Sequence, residues 1–368
     1  MEQFYWAALG AAKGIDTARM LALVRSFGSA QNLYEAEEAD ILATGIISPE
    51  CAARFVEGNK KNRKLPEMLR EQCERLRISV VPVVSPLYPE RLKRILRPPV
   101  VLYVKGTLPD CRYSIAMVGS RMADAYGKKA AAGFGNALAA AGVVIVSGGA
   151  AGIDTASHEG ALQGGGKTVA VLGCGVDIVY PHTNATLFAA IAEHGAIVSE
   201  YPPGTQPDRY RFPERNRIIS GISQGVVLVQ AAKRSGALIT AEFAMDEGRE
   251  VFCVPGNIFT DKSAGPHRLI KAGARLADSP QDILEEVFPE LCGSAHSNLF
   301  AGLNDTTPLR KCSEGQRKIL DLLTQGPQTL EQLVTATGCD IGEASVMLLE
   351  LQMMGFVRMD SAQQYFRS

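Results

Sequence analysis

Six short apolar runs recur between residues 113 and 290: SIAMV (114–118), VVIV (143–146), TVAVL (168–172), AIV (196–198), VVLV (226–229) and VFCV (251–254). Each has strand length, and helical stretches such as YGKKAAAGFGNALAAAG (126–142) and LITAEFAMDEG (238–248) lie between them. Continuous apolar strands alternating with helices predict a mostly parallel sheet covered on both faces. Such a doubly wound α/β sheet takes its ligands outside the carboxyl ends of the strands, at a topological switch point. The loops after the six runs fit that rule: GSR (119–121), SGGAAGID (147–154), GCGVDIVYP (173–181), SEYPPG (199–204), QAAKRSGALITA (230–241) and PGNIFTDKSAGP (255–266).

The first two loops have the chemistry of an anion site. Gly119 lets backbone come close to a ligand, and Ser120 and Arg121 stand at the entry to a helix. A helix start offers unpaired N–H groups and partial positive charge, and a guanidinium adds a planar fork matched to phosphate oxygens. SGGAAGID, with Gly149 in it, is a second backbone-rich turn that opens a helix near Thr155. These turns lack the GxGxxG of a dinucleotide site, and the chain has no GxxxxGK[ST] phosphate loop, so neither a bound cofactor nor ATP hydrolysis is supported.

After the fourth run, Arg209, Arg211, Arg215 and Arg217 fall within nine positions, with Tyr210, Phe212 and Asn216 among them and Asp208 and Glu214 opposing them. Proteins that grip single strands without reading sequence combine backbone-tracking cations with aromatic stacking platforms, and this segment alternates the two. The same residues also fit a packed loop anchor at Phe212 and a buried ion-pair partner at Arg217. The whole chain carries a net charge of −1, so any polyanion site must be a local cluster.

Either side of the sheet the pattern changes. Residues 1–78 read as short helices punctuated by Gly14, Gly28 and Gly45, a small helical domain of SAM or helix-hairpin-helix type. The stretch from Arg77 to Gly106 reads as strand, turn, strand, leading into a main domain at 79–290. Residues 291–310, rich in Ser, Asn, Thr and Gly, read as a linker. Residues 311–368 give three helices, the second opened by a Thr329–Gln332 capping box, and a two-stranded wing. That third helix, IGEASVMLLELQMMG, carries Glu343 and Glu350 and no Lys or Arg, a poor surface for phosphates, so protein contact or structural support is expected of this winged-helix-like domain.

The eight cysteines are scattered without a CxxC pair, which argues against a zinc site and reads as buried small residues in a reducing compartment. The amino-terminal residues lack the pattern of a signal peptide, and no apolar run approaches a membrane span; the expectation is a cytoplasmic protein with no membrane contact. Asp154, His158, Asp177, His182, Glu200 and Glu242 are the candidates for catalysis, yet no Ser-His-Asp order and no HExxH spacing appears, and no catalytic residue or metal site is assigned.

Taken in order, GSR, SGGAAGIDTASH, GCGVDIVYPHTN, SEYPPG, FPERNRIISGIS, SGALITAEFA, GREVFCVPG and SAGPHRLIKAGA resemble the DprA/Smf family of DNA-processing proteins of natural transformation. The resemblance covers about 80–290. It implies an extended Rossmann-like sheet that dimerises, binds single-stranded DNA without sequence preference, protects incoming strands during DNA uptake and helps load the RecA recombinase. It implies no enzymatic activity and no cofactor. It assigns DNA contact to Arg121, Arg209 and Phe212, with Lys262 a further candidate, and puts Gln230 where relatives commonly have glutamate. With the reading of the residues this makes Gly119, Ser120, Arg121, Gly149, Arg209, Phe212, Arg215, Asn216, Arg217 and Lys262 the expected DNA-contacting set. A rival expectation from another class is a nucleotide-processing enzyme, a nucleoside-monophosphate phosphoribohydrolase, in which SGALITAE would supply Glu242.

Overall fold

The computed structural model describes residues 1–368 except 13, 296–312, 324–325, 354–355, 360–363 and 368. The chain divides into two compact units, Met1–Gly293 and Ser294–Ser368.

The first unit opens with six helices: α1 (Glu2–Gly10), α2 (Thr17–Phe27), α3 (Ala30–Tyr34), α4 (Glu38–Ala43), α5 (Pro49–Lys61) and α6 (Leu65–Leu76). Their ends follow local chemistry. Asp16, Ser29 and Ser48 each accept a backbone N–H from the first turn of the helix they precede, satisfying a donor that the helix itself cannot. Phe4, Trp6, Leu9, Leu23 and Leu33 are buried in a core continuous with that of the sheet. The helices expected as a domain of their own at 1–78 therefore share one apolar interior with the sheet, because their buried faces are completed by it.

The sheet has nine strands: β1 (Ile78–Pro82), β2 (Val101–Gly106), β3 (Ser114–Val118), β4 (Val144–Ser147), β5 (Thr168–Val171), β6 (Ala196–Ser199), β7 (Gly225–Leu228), β8 (Glu250–Cys253) and β9 (Arg275–Leu276). The six apolar runs became β3 to β8. They run parallel in the order β6-β5-β4-β3-β7-β8, with β9 parallel at one edge and the antiparallel pair β2 and β1 added beside β6. The helices between them are α7 (Ala125–Ala140), α8 (Ile153–Gln163), α9 (Ala185–His194), α10 (Arg211–Ile222) and α11 (Ala237–Asp246), followed by α12 (Ala264–Lys271), α13 (Pro280–Val287) and α14 (Pro289–Ala295). From β3 the chain winds outward to β6, then returns past its starting strand to β7. Right-handed crossovers made in opposite directions put their helices on opposite faces; accordingly α8 packs on α7 and α9, and α10 packs on α11. The reversal beside β3 is a switch point, and it is here that a crevice opens.

The second unit holds α15 (Glu314–Leu323), β10 (Gln328–Thr329), α16 (Leu330–Thr337), α17 (Ile341–Met353), β11 (Val357–Met359) and β12 (Gln364–Arg367). β12 lies antiparallel between β10 and β11, so the expected two-stranded wing gains a third short strand. The capping box is present: the Thr329 hydroxyl accepts the Gln332 amide at 3.4 Å, and Gln332 Oε1 accepts the Thr329 amide at 2.8 Å. Ile319, Leu320, Leu333, Leu348 and Leu351 form its core, a winged helix closed on itself. Glu350 accepts a hydrogen bond from Gln316 Nε2 at 2.6 Å, tying α17 to α15. Of the expected linker, 291–295 belongs to α14, and the remainder lies outside the described residues. Among the described residues no helix is long and apolar enough to cross a membrane.

Candidate nucleic-acid interface

A cavity of about 620 Å³ sits at the carboxyl ends of the central strands. Its wall takes Ser120 and Arg121 from the loop after β3, Asp154 from α8, Tyr180 from the loop after β5, and Ser235 from the loop after β7. Arg209, just before α10, one face of that helix, and Ala237 and Thr240 of α11 add to it.

The α10 face shows why this segment lines the crevice. Phe212, Arg215, Asn216 and Ile219 all reach the cavity, at the i, i+3, i+4, i+7 spacing of a single helical stripe. Arg217 comes two residues after Arg215, roughly 200° around the axis, and turns away. Its Nη2 donates to Glu200 Oε2 at 2.5 Å in a pair largely shut off from water. Arg217, expected as a DNA contact, is thus found in the buried ion pair that its sequence context also allowed.

Arg215 also departs from expectation. It is only 4% exposed, and its Nη1 donates to the Gly148 carbonyl at 2.8 Å and to that of Val171. Burial pulls the guanidinium down to about 10, with the facing Asp154 carboxylate opposing that fall. Asp154 is buried as well; desolvation raises its pKa against the pull of Arg215 and of the Ala150 N–H, which donates to it at 3.2 Å. Both side chains line the cavity, and Arg215 ties the ends of β4 and β5 together through the Gly148 and Val171 carbonyls.

What remains at the mouth is a compact cluster. The Arg121 guanidinium carbon lies 5.2 Å from the Phe212 ring centroid, within cation–π range. Tyr180 stacks on Phe212 with centroids 5.6 Å apart at 29°. Phe212 is half-buried beneath these neighbours, whereas Tyr180 is 40% exposed and Arg121 and Arg209 face solvent. Tyr180 was not singled out from sequence, although an aromatic in a loop that ends a strand was a usable signal. Arg211 is half-buried, with its guanidinium 5.1 Å from the Tyr201 ring and its Nη1 on the Gln206 carbonyl, so it braces the loop. Asn216 lines the cavity and donates to the Gly236 carbonyl at 3.3 Å.

The glycines have packing reasons. A Cβ on Gly119 would sit 2.6 Å from Ile153 and 2.9 Å from the Gln230 carbonyl; one on Gly149 would meet the Phe188 ring at 2.8 Å, at a φ of +68°. Ser120 ties down its own loop, its hydroxyl accepting the Met122 amide at 3.1 Å and its amide donating to the Gln230 carbonyl at 2.7 Å. The start of α7 is not a vacant anion site, since Asp124 caps it by accepting the Gly127 amide at 3.0 Å. That bond, aided by Gln230 and Lys262, holds the Asp124 carboxyl below its usual range. Gln230 Nε2 donates to Asp124 at 3.0 Å, a contact a glutamate could not make, which accounts for the residue found here. Lys262 lies outside the cavity wall, 3.6 Å from Asp124.

The remaining candidates for catalysis are spread apart. Asp177 accepts the Gly204 amide with both oxygens, at 2.9 and 3.0 Å, and Glu242 is exposed on α11 outside the cavity wall. His158 is fully buried, with Nδ1 2.7 Å from Thr168 Oγ1 and Nε2 unpartnered. Burial pulls it down to about 3, so it is neutral in the folded protein. The unfolded chain takes up this proton below its ordinary value of 6.5, and stability is therefore lost as pH falls from there towards about 3. Between pH 7 and pH 5 the histidine costs on the order of 2 kcal/mol. The Thr168 hydroxyl donates to the Ile145 carbonyl at 2.7 Å and so accepts from His158. Chemical unfolding of His158→Asn, which keeps a donor for Thr168, is expected to show a drop over that range smaller by this amount; equal drops would remove His158 as the cause.

Comparison with known proteins agrees with this architecture. The model of the DNA recombination-mediator protein A family matches residues 79–288, and that of the DprA winged helix domain matches 305–361. Protein Smf of Synechocystis is 32% identical over all of this chain and 99% of its own length. The crystal structure of DNA processing protein A from Streptococcus pneumoniae superposes with a TM-score of 0.66 at 36% identity, covering 78% of this chain and 98% of that one. DNA processing protein A of Helicobacter pylori, a structure concerned with that protein's single-stranded DNA binding mode, gives 0.53 at 29% identity over 58% of this chain and 96% of that one. With its family match running the length of the sheet and its winged helix matched separately, the chain belongs to the DprA/Smf family, the DNA recombination-mediator protein A family.

Proposed function

We propose that this protein binds single-stranded DNA across the mouth of the switch-point cavity, protects incoming strands during DNA uptake, and helps load RecA onto them. The observation that carries the reading is the meeting of Arg121, Phe212 and Tyr180 at one edge of the sheet, beside Arg209. Arg121 and Arg209 neutralise phosphates. An incoming base meets a two-ring stack with Tyr180 as its more exposed member and Phe212 beneath, so Tyr180 joins Phe212 as a platform. The relative from Helicobacter pylori, with its single-stranded DNA binding mode, supports the choice of ligand. No step of covalent chemistry is assigned. The protein acts in the cytoplasm as a dimer through the sheet unit, and the winged helix, whose α17 lacks cations, serves protein contact or support.

Binding of oligo(dT) and of duplex of equal length, titrated with salt, tests this. Affinity is expected to favour the single strand and to fall as salt rises, with a log–log slope steepening by about 0.7 for each phosphate neutralised, hence about −1.4 from Arg121 and Arg209. Salt-independent binding, or preference for duplex, would overturn the reading. Release of free base from nucleoside monophosphates would favour the hydrolase, against which the position of Glu242 counts.

A further inference from the structure

The same sheet edge carries a second exposed surface beyond the cavity. After β8 the chain turns back on itself, the Thr260 amide donating to the Asn257 carbonyl at 3.2 Å. The tip of this turn presents Ile258 and Phe259, 76% and 91% exposed. Tyr126, 52% exposed, braces the base of the turn by donating its hydroxyl to the Pro255 carbonyl at 2.5 Å. Met122, next to Arg121, is 83% exposed. Large apolar side chains gathered in the open mark a contact surface. The neighbouring loop after β7 adds two exposed cations, Lys233 and Arg234.

Strand order fixes the sequence of these features. Across the sheet run β5, β4, β3, β7 and β8. At about 4.8 Å per strand, the loops of the first and last lie about 19 Å apart, a span well beyond one nucleotide. Along that edge the Tyr180–Phe212 stack comes first, then Arg121, then Lys233 and Arg234, then Phe259. Cations thus lie between two aromatic stations, the arrangement a flexible polyanion with stackable bases requires.

We propose that Phe259 is a second base-stacking platform, on a track that carries single-stranded DNA from the cavity over Arg121 and the β7 loop to the β8 loop. The inference rests on the cavity being a single-strand site. Continuity with that site and the intervening cations select the DNA strand as occupant over a protein.

Two variants of the full chain test it. Phe259→Ala, at a side chain open to solvent, is expected to keep the wild-type melting temperature. It binds oligo(dT) of about 20 nucleotides about 5- to 150-fold more weakly and leaves the affinity for about 4 nucleotides unchanged. The chain's one tryptophan, Trp6, is 3% exposed, so Phe259→Trp adds a distinct reporter at the tip. Its fluorescence is expected to be quenched by the long oligonucleotide. Unchanged affinity at both lengths with no quenching overturns the track while leaving the cavity site standing. Failure of the wild type to bind any oligonucleotide overturns both. A lower mass of Phe259→Ala in sedimentation, at unchanged DNA affinity, assigns the tip to a second copy of the chain and also overturns the proposal.

Discussion

Arg121→Glu is expected to weaken oligo(dT) binding by about 100-fold or more while leaving the fold intact. The size follows from what the side chain does. Its guanidinium is exposed at the cavity mouth and held over Phe212, so it can meet a phosphate without first breaking a bond within the protein. Losing a charge-assisted hydrogen bond costs about 1.5–3 kcal/mol. Placing a carboxylate against the phosphate adds repulsion to that loss. Little stability is at stake, because surface substitutions away from special features usually stay within about 0.5 kcal/mol. Lys128→Glu, at an exposed position on α7 outside the cavity wall, makes the same change in net charge and is expected to bind nearly as wild type. Mobility shift and thermal unfolding on both variants decide the matter. Wild-type affinity in Arg121→Glu would mean the strand does not cross this mouth.

Arg215→Met has a different expected outcome, although Arg215 lines the same cavity. The buried guanidinium holds the Gly148 and Val171 carbonyls and faces the buried Asp154. Removing it takes the donor from two carbonyls and the nearby cation from a buried carboxylate; at about 1–3 kcal/mol for each buried polar group left unsatisfied, a loss of several kcal/mol is expected. The measurement is denaturant unfolding. Adding Asp154→Asn removes the unbalanced charge, so the double variant is expected to be less destabilised than the sum of its parts. If Arg215→Met unfolds like the wild type and loses only DNA binding, the side chain contacts DNA after all.

The contrast between these two arginines marks how far the sequence could be read. Strand-length apolar runs punctuated by glycine and polar turns specify a parallel sheet with its sites at the carboxyl ends, and β3 to β8 formed where the runs lay. Continuous burial on both faces leaves an unambiguous linear pattern. The clustering of cations and aromatics before α10 was legible in the same way. Which of them would be free was not, since four arginines within nine positions look alike as a string. Helix phase then sends Arg215 to the Gly148 and Val171 carbonyls and Arg217 to Glu200, and Tyr180 reaches Phe212 from a different strand's loop.

The chain's order of residues determined the elements, their parallel winding, the edge at which the glycine-rich and polar loops gather, and the family. Those depend on local periodicity and turn chemistry, which neighbouring residues encode. Tertiary structure alone decided which cations stay in solvent, which ring lies uppermost, and that the amino-terminal helices share the sheet's core. Burial and charge pairing are properties of residues distant in the chain, and they exist only once the sheet has brought its loops together.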